Sequence, residues 1–309
     1  MIEKICTRDM SEEAWVEARK GSIGGSDAAA IVGLNSYKSA YALWAEKSGK
    51  IEPEDISMKE AVRLGHELEP YVAKRFSEIT GKKVRRENYI LKNTEYPWAH
   101  ANVDRLVIGE RAGLECKTTS ALSLSKFKNG EYPASYYVQC VHYLAVTGLE
   151  RMYLCVLIGN QEVKVFTIER DEDEVAALMD AEQEFWAQVQ SGIAPLPDGS
   201  ESSSKAISQL YADEGGECDL TYYAHTLREY MELKGQIKDL TAKCDGLGNI
   251  IKEFMGTASK GFAADYKVSY GSRSKRTFDV KKYQKDNPGI DLSDYYKVSS
   301  YRQFEVKGA

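Results

Sequence analysis

Between Gly113 and Ile158 the chain places a strand-like run, an amphipathic helix and a continuous apolar run in succession, and few folds accept that order. Gly113 to Thr118 reads as a strand. Ala134 to Thr147, after Pro133, has helical spacing, and Arg151 to Ile158 is an apolar strand. Glu162 to Ile168 alternates like a strand paired back onto it through a Gly159-Asn160 hairpin turn. Two further strands are expected upstream, Lys83 to Leu91 and Ala99 to Ile108, and a helix downstream over Asp173 to Ser191. Helices first, then a mixed sheet crossed by a helix, describe an α/β core.

The helices ahead of the sheet have recognisable punctuation. Ser11 to Lys20 is expected to be helical, anchored by Trp15 and Val16. The glycine-rich stretch Gly21 to Gly25 then leads into a short helix, with Ser26 as its N-cap and Gly33 as its stop. Another helix follows Ser39, carries Leu43 and Trp44, and ends near Gly49. Ser57-Met58-Lys59-Glu60 has the form of a capping box. The helix it opens runs through Ala61, Leu64, Leu68, Val72, Phe76 and Ile79 to Gly81. Pro70 either kinks it or starts a second helix there, because it cannot donate to His66.

The Pro/Gly/Ser stretch from Ala194 to Ser204 is the strongest linker signal. It divides the chain into a domain over 1–200 and an extension over 201–309. In the extension Tyr230, Leu233, Ile237, Leu240, Cys244, Leu247, Ile251 and Phe254 recur in alternating steps of three and four, a heptad seam. Packing on its own domain, binding a partner and forming an oligomer all fit such a helix. Tyr266 to Tyr270, Thr277 to Val280 and Tyr296 to Val306 are expected to form a small β unit.

Composition narrows the function class. With 43% hydrophobic and 28% charged residues the chain can build a real core. A net charge of −6 argues against a protein that coats DNA, because phosphate contacts need Lys and Arg, but it leaves room for local basic tracks. The 20 tyrosines, against 8 phenylalanines, suit half-wet surfaces or simply fill the sheet. None of the six cysteines forms a C-x-x-C pair, so a zinc ribbon or an iron–sulfur cluster is not expected. They read as free thiols of a reducing, cytosolic compartment. Met1 to Met10 lacks the apolar segment of a signal peptide, and no apolar run approaches membrane-spanning length.

The chemistry centres on Leu114-Glu115-Cys116-Lys117. On a strand Glu115 and Lys117 share one face, while Cys116 faces the other way into the core. Asp104 lies on the preceding strand across a short turn, and antiparallel pairing brings its carboxylate beside Glu115. Two such carboxylates make a hard-oxygen site suited to Mg²⁺ or Mn²⁺. Lys117 would stand within reach of an attacking water or a scissile phosphate, where its charge stabilises the transition state. The D…E-x-K pattern alone is loose, since a surface ion pair on a strand has the same spacing.

Its surroundings make it specific. Asp104, Glu115-Cys116-Lys117 and the following helix resemble the PD-(D/E)XK nuclease core. From about Arg19 to Trp186 the chain resembles, more narrowly, the lambda exonuclease and YqaJ-like viral recombinase family. The resemblance implies a restriction-endonuclease-like fold, a central mixed sheet flanked by helices, with the C-terminal extension added. It implies that Arg19 and Ser26 hold a 5′-phosphate, and the glycine-rich entry to a helix agrees with anion binding. In Gly65-His66-Glu67-Leu68-Glu69-Pro70 it makes Glu69 an outer ligand of metal or water, with Glu67 as the alternative. In Gln139-Cys140-Val141-His142-Tyr143 it makes Gln139 a hydrogen-bonding partner of the site and Tyr143 a DNA-backbone contact. His142 is either structural or functional. Arg105 departs from the glycine the family often has after its Asp; it adds a phosphate contact or a surface charge.

The resemblance therefore implies a magnesium-dependent exonuclease, catalytic through Asp104, Glu115, Lys117, Glu69 and Gln139, with Asp104, Glu115 and Glu69 around the metal. It would degrade linear double-stranded DNA from the 5′ end, release 5′-mononucleotides, and leave a 3′ strand for an annealing protein. A trimeric ring around DNA and a phage origin in a bacterial cytoplasm are implied too. An endonuclease with the same core and a non-catalytic DNA-binding or assembly protein are the competing readings. Lys82, Lys83, Arg85, Arg86, Lys126 and Lys128 are candidate phosphate contacts near the core, and Arg273, Lys275 and Arg276 in the extension.

Overall fold

The computed structural model describes residues 1–297 and 301–307. The polar start forms a strand that its composition does not announce, β1 (Ile2–Cys6). In α1 (Glu12–Lys20) the Ser11 hydroxyl accepts from the Ala14 N–H. Val16 is exposed there, so it does not serve as the expected second anchor. The glycine-rich stretch holds β2 (Ile23–Gly24) and α2 (Gly25–Ile31). The N-cap of α2 is Gly24 and not Ser26. The Asp27 carboxylate turns back to accept the Gly24 N–H at 3.0 Å, which leaves Ser26 exposed within the first turn.

Ser39 caps α3 (Ala40–Lys47) as expected. Next, α4 (Glu60–Thr80) is a single helix with Pro70 inside it and Gly81, at φ 72°, ending it. Pro70 and His66 are both exposed, so water can satisfy the His66 carbonyl that Pro70 cannot. The expected capping box does not form. Lys59 is the N-cap, and the Ser57 N–H instead donates to the Asp55 carboxylate.

Two stretches expected as single strands each break in two. Lys83 to Leu91 becomes β3 (Val84–Arg86) and the start of β4 (Tyr89–Asn93). Ala99 to Ile108 becomes the end of β5 (Tyr96–Ala101) and then β6 (Arg105–Val107). Each break hands the chain from one sheet to the other. The strands β7 (Ala112–Thr119), β8 (Arg151–Ile158) and β9 (Glu162–Glu169) match their expected spans closely, as do helices α5 (Ala134–Thr147) and α6 (Glu172–Ser191).

One sheet has the order β3-β6-β7-β8-β9, antiparallel except for the parallel pair β7 and β8 that α5 connects. The other has the order β1-β4-β5-β2, with β2 parallel to β5. Strand β8 explains its own composition. Met152, Leu154, Val156 and Ile158 pack with Cys140 and Leu144 of α5 and with Ala99 and Ala101 of β5. Tyr153 and Cys155 pack with Val72 and Phe76 of α4 on the opposite face. A strand covered on both sides is apolar throughout.

The expected boundary at residue 200 moves. Helix α7 (Glu201–Leu210) packs Ala206 against Tyr41 and Ala42, and the buried Ser203 hydroxyl donates to Ser39 at 2.9 Å. The first compact unit is Met1–Ala212 and the second Asp213–Ala309.

The second unit holds α8 (Ala224–Met255), which contains the heptad seam, and a hairpin of β10 (Lys260–Ala263) and β11 (Tyr266–Ser269). The other two expected strands are absent among the described residues. Thr277 to Asp279 is irregular and leads into α9 (Val280–Asp286). The stretch from Tyr296 is irregular where it is described, and its residues 298–300 lie outside the described residues. Among the described residues no helix is long and apolar enough to cross a membrane.

Candidate active site

Strands β6 and β7 pair with Arg105 opposite Leu114, so Asp104, just before β6, falls opposite Glu115. The Asp104 carboxylate accepts the Cys116 N–H at 2.8 Å, extending the ladder by one side-chain bond. Leu114 and Cys116 pack on the α4 side. Glu115 and Lys117 share the other face: Lys117 Nζ lies 2.6 Å from Glu115 Oε1 and 5.5 Å from the Tyr136 ring of α5. From the same helix Gln139 Nε2 donates to Glu115 Oε1 and to the Tyr143 hydroxyl, both at 2.8 Å.

This is an acid-rich cluster in a poor solvent. Burial raises Asp104 well above the ordinary carboxylate range; the charges of Glu115 and Glu69 add to the rise, and the Cys116 N–H and Lys117 oppose it. Burial alone would pull the Lys117 ammonium down, but Glu115 and then Asp104 outweigh it and hold Lys117 above its usual value. Lys117 is therefore a firm cation here, suited to stabilising charge. Burial, with Asp104 and Glu115, pushes the Cys116 thiol up, which rules it out as a nucleophile.

Glu115 Oε2 is buried and has no hydrogen-bond partner. An orphaned carboxylate oxygen beside a second, reluctant carboxylate is the arrangement a cation relieves. Among the described residues no three or more His, Cys, Asp or Glu side chains group to hold a metal ion. A Mg²⁺-type ion, held by one or two carboxylates and several waters, does not need them. Asp104 and Glu115 thus fit such an ion.

Glu69 is near enough to raise Asp104 but is engaged elsewhere. It pairs with Arg105, and Arg86 Nη2 lies 3.6 Å away. Glu67 is exposed. Arg105 is buried, its guanidinium donating to the Asp104 carbonyl at 2.8 Å, so it is neither a surface charge nor free for phosphate. Tyr143 is also buried, which removes it from direct contact with a duplex; its hydroxyl positions Gln139.

Arg19 and Ser26 flank the α2 entry. Arg19 lies over the Trp15 ring at 4.0 Å and donates through Nε to His100 Nε2 at 3.1 Å. A Cβ on Gly24 would stand 3.4 Å from Arg19 Nη2, so the guanidinium borders the loop that leads to Ser26. Ser26, Asn35, Tyr37, Ser135, Tyr136 and Gln139 line a recess of about 180 Å³. That recess joins the expected phosphate end to the helix that supports Glu115.

Gly25 permits this closeness. A Cβ there would sit 2.6 Å from Tyr143 Cε1 and 3.1 Å from Gln139 Cγ. Gly25→Ala is expected to displace both side chains and to cost about 1–3 kcal/mol of stability. Chemical denaturation measures the cost, and a parallel cleavage assay should show activity falling under conditions where the variant is still folded.

The YqaJ-like viral recombinase domain matches residues 14–150. The Bacillus subtilis (strain 168) protein YqaJ is 38% identical over 305 residues, which span 97% of this chain and 95% of that one. The chain belongs to the YqaJ-like viral recombinase family. In fold it is similar to an alkaline exonuclease from Laribacter hongkongensis, with a TM-score of 0.50 at 21% identity, covering 59% of this chain and 94% of that one. A second structure of that enzyme, in complex with dAMP, gives a TM-score of 0.49 at 23% identity. The restriction-endonuclease-like PD-(D/E)XK fold expected from the sequence is the fold observed.

In this YqaJ-family site the residues the sequence did not single out are His100, Ser22 and Tyr136. Arg19 can only donate, so the His100 Nε2 lone pair is the acceptor, and in the neutral ring Nδ1–H donates to the Ser22 hydroxyl 2.8 Å away. Burial and the Arg19 charge push His100 down to about 2, which keeps that lone pair free. A histidine on a strand carries no periodic signal, and only the fold brings it to Arg19. His142 proves structural: its Nε2–H donates to the His100 carbonyl at 2.9 Å, and Nδ1 lies 2.7 Å from Glu182 Oε1. Of the proposed basic track, Lys82, Arg85 and Arg86 already face Glu110, Glu87 and Glu69. Lys126 and Lys128 are exposed, and Lys126 borders a recess of about 570 Å³ with Tyr132 and Tyr137.

Proposed function

We propose that this protein is a metal-dependent exonuclease that degrades linear double-stranded DNA from the 5′ end, releasing 5′-mononucleotides and leaving a 3′ strand for recombination. The observation that carries this reading is the partnerless buried Glu115 oxygen beside Asp104 and Lys117. Family membership and the nuclease fold support it. Mg²⁺, with Mn²⁺ as the alternative, would supply charge neutralisation on phosphate oxygens and a more acidic bound water. Asp104 and Glu115 would hold it, with Glu69 reaching it through water once released from Arg105.

The side chains divide the remaining work. Lys117 offers a fixed positive charge for the phosphate as negative charge develops. Gln139 holds Glu115 in place, and Tyr143 holds Gln139. Arg19, fixed by His100 and Trp15, and Ser26 would take a 5′-terminal phosphate. That end-binding pair favours an exonuclease over an endonuclease. Work in a reducing cytoplasm, expected from the cysteine spacing, is part of the proposal. A single-strand annealing protein as partner and a trimeric ring that retains DNA between cuts complete the proposal.

The test is digestion of a linear duplex with one 5′-phosphorylated and one 5′-hydroxyl end in Mg²⁺. Mononucleotides should come from the phosphorylated end, and Arg19→Ala should erase the difference between ends. Internal cutting of a closed circle would replace the exonuclease with an endonuclease. No metal-dependent cleavage would leave a DNA-binding or assembly protein.

A further inference from the structure

Helix α8 runs for 32 residues without one buried side chain among the described residues. Leu233, Ile237, Leu240, Leu247 and Ile251, all on its heptad seam, are each about half exposed or more. Gly235, Gly246 and Gly248 lie inside it, and each interior glycine costs a helix about 1 kcal/mol relative to alanine. A helix so weakened draws its stability from a packed apolar face. Its own unit supplies contacts at the two ends of the helix: Tyr230 meets Phe304 with ring centroids 5.7 Å apart, and a Cβ on Gly261 of β10 would stand 3.7 Å from Met255 Cε.

We infer that α8 pairs, parallel and in register, with α8 of a second copy of this chain. Three features choose this occupant. With Tyr230 set at heptad position a, Ile237 and Ile251 also fall at a, and Leu233, Leu240 and Leu247 at d. β-Branched residues at a with leucine at d favour two parallel strands. The flanking positions agree. In a parallel pair Glu229 (g) faces Lys234 (e) of the other copy, an attraction, and the next pairs are Gln236 with Thr241 and Lys243 with Gly248, which are neutral. An antiparallel pair of the same seam instead brings Lys243 against Lys243. Finally, Cys244 occupies an a position, and it is free and exposed. Parallel pairing sets the two Cys244 side chains face to face, whereas antiparallel pairing sets each against a leucine. Three copies in one ring cannot pair two by two, so with a trimeric ring the pairing joins copies of different rings; the inference stands whether or not the chain cuts DNA.

Oxidative cross-linking of the full-length protein tests it, with Cys6→Ser and Cys218→Ser removing the other exposed thiols. Diamide accepts the two electrons and two protons that two thiols release as they form a disulfide. Paired helices hold the thiols at millimolar effective concentration, so at micromolar protein Cys244 should link on the order of 10²-fold faster than collision allows. A control carries Cys244→Ser and Asn249→Cys, which moves the thiol to the outer face of the same helix and should link only at the collision rate. Glu229→Lys alone and Lys234→Glu alone should each slow the Cys244 link, and the double swap should restore it. These surface exchanges leave the helix itself intact. Equal rates at Cys244 and at the outer-face cysteine would overturn the pairing. A fast link that the double swap fails to restore would overturn the parallel register.

Discussion

Lys117→Ala is expected to slow DNA cleavage by about 10²–10³-fold, the loss typical of one preorganised charge at a transition state. Its ammonium lies 2.6 Å from Glu115 and is held in its charged form by Glu115 and Asp104. A loss of that size, with an unchanged far-ultraviolet circular dichroism spectrum, would show that the cation acts on the reaction. Lys117→Arg keeps the charge but moves it, and it should recover only part of the rate. Wild-type turnover by Lys117→Ala would remove the catalytic assignment of the D…E-x-K set.

The second large effect is on stability. His142 and Glu182 are fully buried and 2.7 Å apart. Burial and Glu182 act in opposite directions on His142, and the carboxylate, with the His100 carbonyl, wins: the imidazole sits above 6.5. Burial also raises Glu182, with His142 pulling the other way. Both shifts describe one extra proton kept by the pair. A raised histidine stabilises the fold fully below its unfolded value, near 6.5, and loses that contribution as pH rises through the folded value. Glu182 has the same sign, since ionising a raised acid costs stability as pH increases. Denaturation midpoints should therefore fall as pH rises, from above 4.5 through Glu182 and further from above 6.5 through His142. Glu182→Gln, which keeps the shape without the charge, should flatten that slope. His142→Leu strands the carboxylate and should cost about 3–5 kcal/mol, read by urea unfolding. A midpoint independent of pH in the wild type would contradict the shared proton.

The regular core was legible because its strands and helices are punctuated. Pro133 and Gly148 bracket α5, and the apolar run of β8 has no other home than between two covering layers. Asp104, Glu115 and Lys117 were legible for the same reason, since strand alternation and one short turn bring them together. The breaks at 87–88 and 102–104 were not. They contain no glycine or proline, and the chain turns there because two sheets compete for adjacent segments, which is a tertiary effect. Ser26 is not the cap because the helix begins before it, where the Asp27 carboxylate accepts the Gly24 N–H. The burial of Arg105 and Tyr143 was equally hidden, because burial of a polar side chain depends on partners far along the chain. The linker at 194–204 looked like a boundary by composition, and α7 showed that a serine-rich stretch can dock when its hydroxyls meet another buried hydroxyl.

The break between β5 and β6 has one more consequence. His100, which fixes Arg19, and Asp104, which faces Glu115, stand at its two ends. The short stretch between them, anchored by the buried Val103, spaces the two. On the proposed reading it acts as a ruler, setting the span from the terminal phosphate to the bond that is cut. A fixed ruler makes the size of the released piece a property of the backbone. Lengthening it by one residue should change which bond is cut before it changes how fast.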